Sequence, residues 1–180
     1  MRSVSESFPA DASGSTRGDL PVIRTDRLWL VPYTPAHARR LLEGDPHGDV
    51  WAAGYPTDDE LDVARMYLSL IGPHGDPAPF GPYVIRLDGD DRAVGGFGFF
   101  GPPDHDGFVE FGYGLVEAAR GSGLATEAVV AALSTAAAHG ALGARADTTP
   151  GNLASQRVLE KAGLVEVRRD AASVAYETRR

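Results

Sequence analysis

Arg120-Gly121-Ser122-Gly123-Leu124-Ala125 is the stretch of this chain best equipped for chemistry. Before it, Phe108 to Leu115 alternates like a strand; after it, an alanine-rich segment runs helically to His139. The first N–H groups of a helix have no intrahelical acceptor, and the positive end of the helix dipole lies there too. Glycines on both sides of Ser122 let a ligand approach that backbone, so the turn suits an anion such as phosphate. The first expectation is therefore binding of a nucleotide or coenzyme, although on the glycines alone a plain helix start serves equally well.

Other chemistries fit less well. Gly96-Phe-Gly98-Phe-Phe-Gly101 has dinucleotide-binding spacing, but it lies within a strand and is followed by a strand, where that motif needs a helix. Ser122 lacks the glycine two residues earlier that a nucleophile elbow requires, since Arg120 stands there, and no Gly-Lys-Ser/Thr follows a glycine loop. The five histidines show no metal-ligand spacing on one helix, and with no cysteine the chain has neither a thiol nucleophile nor a thiolate metal site. No metal is expected.

The elements that must position the turn follow from patterning. Residues 1–20, rich in Ser, Gly and Asp, are expected to form a disordered tail, and residues 21–180 a single domain. A strand Arg27–Pro32 leads to a helix through Leu42, with Thr34 as cap. Thr57-Asp-Asp-Glu60 reads as a capping box opening a helix to about Ile71, with Leu61, Ala64, Leu68 and Ile71 as its apolar stripe. A Pro- and Gly-rich loop spans Gly72 to Pro82, then a hairpin joins Tyr83–Leu87 to Arg92–Phe100. The long helix is expected over Gly121–His139, followed by a strand at Ala144–Thr148, a helix from Asn152 to Lys161, and two strands at Val165–Arg168 and Ser173–Tyr176. This order implies a mixed α/β (α+β) fold with helices on both faces of a sheet.

Composition narrows the function. With 43% hydrophobic and 23% charged residues the chain is globular, and no apolar run reaches the roughly 20 residues of a membrane helix. A net charge of −8 argues against a nucleic-acid surface. The start of the chain lacks a secretory apolar core, so a cytoplasmic location is expected, with no membrane partner.

A second motif, Asn152-Leu-Ala-Ser155-Gln-Arg-Val-Leu-Glu-Lys-Ala-Gly163, stands about 30 residues beyond the turn. With Glu110-Phe-Gly-Tyr113, Arg120-x-x-Gly123-x-Ala125, Gly123-Leu-Ala-Thr-Glu-Ala128 and Arg24-Thr-Asp-Arg-Leu-Trp-Leu30, the span from about Val22 to Tyr176 resembles the GNAT acetyltransferase superfamily. Within it, the chain is similar to the branch of ribosomal-protein N-terminal acetyltransferases. The resemblance implies a central, mostly antiparallel twisted sheet of about seven strands, splayed in a V beside a parallel pair at the cofactor site. It implies acetyl-CoA as cofactor, with pyrophosphate on the backbone of Arg120, Gly121, Ser122, Gly123, Leu124 and Ala125 and a hydroxyl from Thr126. It also implies a strand bulge at Gly114–Val116, with Leu115 and Val116 as backbone ligands of pantetheine, and a helix face carrying Asn152 and Ser155 near the thiol. Asn152 serves equally as a pure helix cap.

Transfer needs an amine made neutral and a thiolate given a proton. Glu110 is the candidate base, sharing a strand face with Gly112 and Gly114; Ser155 or Tyr113 is the candidate acid. The superfamily often places a tyrosine acid beyond the second motif, where Val165–Arg169 has none, so the acid is left open between these two. Six acids between Asp45 and Asp62, with no Lys or Arg, would favour a cationic amine, with Trp51 and Tyr55 packing against it. The same carboxylates also suit a helix start. The sequence thus points to an N-acetyltransferase acting by direct transfer in a ternary complex on a protein N-terminus or small-molecule amine. A GNAT-fold acyl-CoA sensor without turnover stands as the alternative, and a homodimer is an expectation of the branch alone.

Overall fold

A computed structural model describes residues 22–179 of the chain, so the expectation for residues 1–20 lies outside the described residues. In chain order the elements are β1 (Ile23–Arg24), β2 (Leu28–Pro32), α1 (Pro35–Glu43), α2 (Asp58–His74), β3 (Pro82–Leu87), β4 (Ala93–Phe99) and β5 (Phe108–Leu115), then α3 (Leu124–Ala138), β6 (Gly143–Thr148), α4 (Leu153–Lys161), β7 (Val165–Arg169) and β8 (Val174–Arg179). The strands form one sheet in the order β1-β2-β3-β4-β5-β6-β8-β7. Every neighbouring pair is antiparallel except β5 and β6.

Eight strands form where about seven were expected. The additional one is β1, because the chain turns at Thr25–Arg27 and pairs Ile23 with Leu30. Helix α2 also runs past Ile71 through Gly72, Pro73 and His74, residues whose composition suggested a loop. Pro73 lies in the last turn of a 17-residue helix, where the preceding turns already fix the backbone.

The faces of the sheet follow from alternation along β5. Val109, Phe111 and Leu115 are buried on one face, and Phe111 stacks on Phe97 of β4 at 5.5 Å between ring centroids. Tyr113 reaches α4 on this same side. Glu110, Gly112 and Gly114 point to the other face, where α2 lies close enough that its Glu60 approaches Gly96 and Gly114. Helices thus cover both faces around β4 and β5.

The parallel pairing of β5 and β6 covers only Phe108–Glu110 against Gly143–Arg145. On the other edge of β5, Phe100 N–H donates to the Glu110 carbonyl and Val116 N–H to the Val94 carbonyl, both at 2.9 Å. Even-numbered residues of β5 therefore face β4, and the backbone groups of Phe111, Tyr113 and Leu115 face the side from which β6 has diverged. This is the expected V. The expected bulge at Gly114–Val116 does not form, since the β4–β5 register runs unbroken from Phe99↔Phe111 to Gly95↔Leu115. The opening comes instead from β6 turning away to pair with β8. Gly95 permits the close crossing at this end: a Cβ there would stand 2.1 Å from the Gly114 carbonyl oxygen.

Candidate functional site

Past Leu115 the chain makes one 3₁₀ turn, Glu117–Ala119, and reaches the glycine turn. Gly121 at φ +78° and Gly123 at φ +84° take the left-handed backbone that side chains resist, and Gly123 is the N-cap of α3. No side chain caps this helix, so its first N–H groups are offered outward, unlike those of α1 and α4, which Thr34 and Asn152 cap. Helix α3 consequently starts at Leu124 rather than Gly121. Thr126 lies in the first turn, and its hydroxyl makes no hydrogen bond to the described residues. Arg120 does not project freely: its Nε donates to the Leu115 carbonyl at 2.8 Å and braces the end of β5.

Sequence reasoning missed a second brace. The Glu127 carboxylate accepts from Thr25 Oγ1 at 2.6 Å, Arg27 N–H at 3.0 Å and Arg27 Nε at 2.7 Å. The other end of the Arg27 guanidinium donates to the Ser122 carbonyl at 2.9 Å. The β1–β2 turn thereby holds the glycine turn and α3 together; Arg24-Thr-Asp-Arg27 was read only as a strand motif. Burial pushes the Glu127 carboxyl upward, but the Thr25 and Arg27 bonds outweigh it and hold it below the usual carboxylate range.

The two candidate acids meet. Tyr113 Oη lies 2.9 Å from Ser155 Oγ, with either atom able to donate, and Tyr113 also donates to the Ser155 carbonyl at 3.3 Å. Burial raises the Tyr113 phenol above its ordinary value and the Ser155 bond only partly offsets this, so the phenol stays protonated at neutral pH. Asn152 is the cap of α4, its Oδ1 accepting from Ser155 N–H at 3.1 Å. Val116 differs from expectation as a backbone ligand: its N–H goes to Val94 and its carbonyl accepts from Ala119 N–H, so both groups are committed. The Leu115 carbonyl is likewise occupied by Arg120, while the strand phase turns its N–H toward the opening.

Glu110 is exposed on the face opposite Tyr113, as alternation predicts, and lines a shallow cleft with Arg145, Asp147, Tyr176 and Glu177. It stands at the closed apex of the V, five residues or roughly 16 Å along the strand from Leu115.

The acidic field of the early helices is divided. Asp49 is consumed internally, 3.6 Å from His37 Nδ1, 3.4 Å from Arg40 and 3.2 Å from Arg86. Burial would raise its carboxyl, but the His37 bond and the two guanidinium charges hold it at about 2. Trp51 and Tyr55 pack on each other edge to face rather than lining an acidic cleft. Glu60 closes the expected capping box, with Oε2 accepting from Thr57 N–H at 2.7 Å and from the Thr57 hydroxyl.

Comparison with known proteins is consistent with this geometry. The family model described as acetyltransferase (GNAT) domain matches residues 27–165. An uncharacterized N-acetyltransferase of Bacillus subtilis (strain 168), YjdG, is 26% identical over 155 residues, covering 80% of this chain and 89% of that protein. Among solved structures, an acetyltransferase from Agrobacterium tumefaciens superposes with a TM-score of 0.63 at 24% identity, covering 94% of this chain and all of that one. RimJ of Mycobacterium smegmatis, solved with a CoA disulfide, superposes with a TM-score of 0.58 at 21% identity, covering 84% of this chain and 81% of that one. An uncapped helix start beside a splayed parallel pair fits the pyrophosphate and the extended amide arm of coenzyme A. Among the described residues no helix is long and apolar enough to cross a membrane.

Proposed function

Since the chain belongs to the GNAT acetyltransferase family and is an acetyltransferase using acetyl-CoA, we propose that it transfers the acetyl group directly to a primary amine within a ternary complex. The observation that carries this is the convergence of an uncapped α3 start, an opened β5–β6 edge and the Tyr113–Ser155 pair on one stretch of backbone. The N–H groups of Leu124, Ala125 and Thr126, presented by Gly121, Ser122 and Gly123, would receive the pyrophosphate. Leu115 N–H and the Tyr113 backbone would pair with the pantetheine amides, with Ser155 and the Asn152 amide bordering the arm.

Acetyl-CoA supplies an activated acyl carbon on a thiolate leaving group. Tyr113, kept protonated by burial, is the group to return a proton to that sulfur, directly or through Ser155 Oγ. Without cysteine the chain offers no thiol for an acyl-enzyme step, which favours direct attack by the amine. Glu110, at the apex of the V, would act as base only through water. A protein N-terminus or a small-molecule amine would serve as acceptor.

The test pairs calorimetric titration of CoA with release of free thiol from acetyl-CoA in the presence of an amine panel. Ser122→Asp places a like charge at the exposed helix entry. About 1 kcal/mol per unit charge pair at 4 Å in water, applied to a doubly charged pyrophosphate, gives roughly 30-fold weaker CoA binding with the fold intact. Unchanged affinity would refute the assignment of the turn. CoA binding without thiol release for any amine would make the protein a sensor.

A further inference from the structure

Strands β4 and β5 place two glycine pairs directly opposite each other, Gly96 with Gly114 and Gly98 with Gly112, all on the face away from α3. Four missing side chains leave a bare patch of backbone in the middle of the sheet. The first turn of α2 passes over it, and between them lies a cavity of about 260 Å³ walled by Tyr33, Val63, Pro82 and Phe100. Its lining contains two carboxylates, Asp59 and Glu60, and no lysine or arginine.

Glu60 is only 4% exposed. Thr57 holds one carboxylate oxygen, Oε2, through its N–H and hydroxyl. The other, Oε1, accepts no hydrogen bond from the described residues and hangs over the glycine floor. A Cβ on Gly96 would lie 3.3 Å from Oε1, and one on Gly114 3.8 Å from it. Because Glu60 lines the cavity, a donor or a cation that enters there can meet this oxygen. Gly114 precedes Leu115, whose N–H faces the β5–β6 opening, and Tyr113 borders both the cavity and Ser155.

We infer that this cavity receives the acceptor, with its ammonium on Glu60 Oε1 and a slender apolar chain behind it along Val63, Pro82 and Phe100. The substrate class is then a primary amine, cationic in solution, whose first carbons are unbranched; a Cβ at Gly96 or Gly114 would take the space those carbons need. Glu60 thus selects the acceptor, while the capping box fixes its orientation. This inference rests on the proposed transfer to an amine, and binding separates the two.

The experiment titrates n-butylammonium chloride, and n-butanol as its neutral counterpart, into the CoA complex, following the backbone amide resonances of Gly96, Gly98, Gly112 and Gly114. The expected result is saturable shifts with n-butylammonium and none with n-butanol. Glu60→Gln keeps the capping box, because a glutamine at this position still accepts from Thr57 N–H, and should weaken n-butylammonium about 10- to 100-fold while leaving CoA affinity unchanged. Gly98→Ala, whose Cβ would meet only Pro82, at 3.7 Å, narrows the cavity without touching the charge and should weaken it as well. No shifts in the wild-type protein, or equal affinity in Glu60→Gln, would overturn the inference. Shifts that depend on Glu60 without thiol release would uphold the site and refute acetyl transfer to such amines.

Discussion

Removing the Glu127 carboxylate should reveal how a turn far back in the sequence governs the cofactor site. In Glu127→Ala, Thr25 Oγ1 and Arg27 N–H lose their acceptor, and Arg27 loses the ion pair that aims its other nitrogen at the Ser122 carbonyl. The part-buried Thr25 bond contributes about 1 kcal/mol and the exposed Arg27 N–H bond about 0.5 kcal/mol. The Arg27 pair, with its guanidinium 49% exposed, adds no more than about 0.5–1 kcal/mol. The expected loss is about 2–3 kcal/mol, or roughly 5–10 °C in Tm for a chain of this size. CoA affinity should fall several-fold in addition, because the glycine turn must then be ordered at the expense of binding. Differential scanning calorimetry and CoA titration measure the two effects. Because its bonds hold the Glu127 carboxyl below the usual range, the clamp contributes fully above the ordinary glutamate value of about 4.3 and is lost as pH falls through the lower folded value. The gap between wild type and variant should therefore be constant from pH 6 to 8 and close below pH 4. A stability loss with CoA affinity unchanged would refute the coupling between clamp and turn.

Two further substitutions test the geometry around β5. Gly95→Ala drives a Cβ to 2.1 Å from the Gly114 carbonyl and 2.9 Å from Leu115 Cα, so the strands must part; a loss of at least about 3 kcal/mol is expected in urea denaturation, and a loss under 1 kcal/mol would disprove the close crossing. Tyr113→Phe removes the hydroxyl 2.9 Å from Ser155 Oγ and should lower kcat about 100-fold with the KM for acetyl-CoA altered less than threefold. Ser155→Ala should do less, since the phenol remains. An unaltered kcat in Tyr113→Phe would move the acid elsewhere.

The geometry of the proposed cofactor half was legible because its parts are contiguous. A strand, a glycine turn and a helix start follow one another within Phe108–Ala125, so local rules alone place them. What local rules cannot supply is the phase of a strand relative to its neighbours. Val116 was expected to face the ligand, yet the unbroken β4–β5 register turns its N–H to Val94. Asn152 was read both as cap and as ligand; its side-chain oxygen caps, and only its amide nitrogen is left for the proposed contact with the arm. Glu127 appeared only as part of a helix start, because its partners lie about 100 residues earlier and no spacing rule connects them.

The acceptor half was obscured for a related reason. The stripe Leu61, Ala64, Leu68, Ile71 gave α2 a correct helical period and packs against the core, but spacing alone does not single out the most deeply buried line. The residues that pack deepest are Glu60, Ala64 and Tyr67, one turn apart, with Glu60 replacing an apolar residue at the head of the line. Among six nearby acids, Asp49 is neutralised by His37, Arg40 and Arg86, and burial rather than local charge density singles out Glu60. The glycine pairs that make room below it belong to two strands, and only the pairing register puts Gly96 against Gly114. A site assembled from α2, β4 and β5 can change its acceptor by one substitution on any of them without disturbing the contiguous turn proposed to hold the coenzyme. In the proposed site the family motif holds the donor, and the acceptor is set by residues outside that motif.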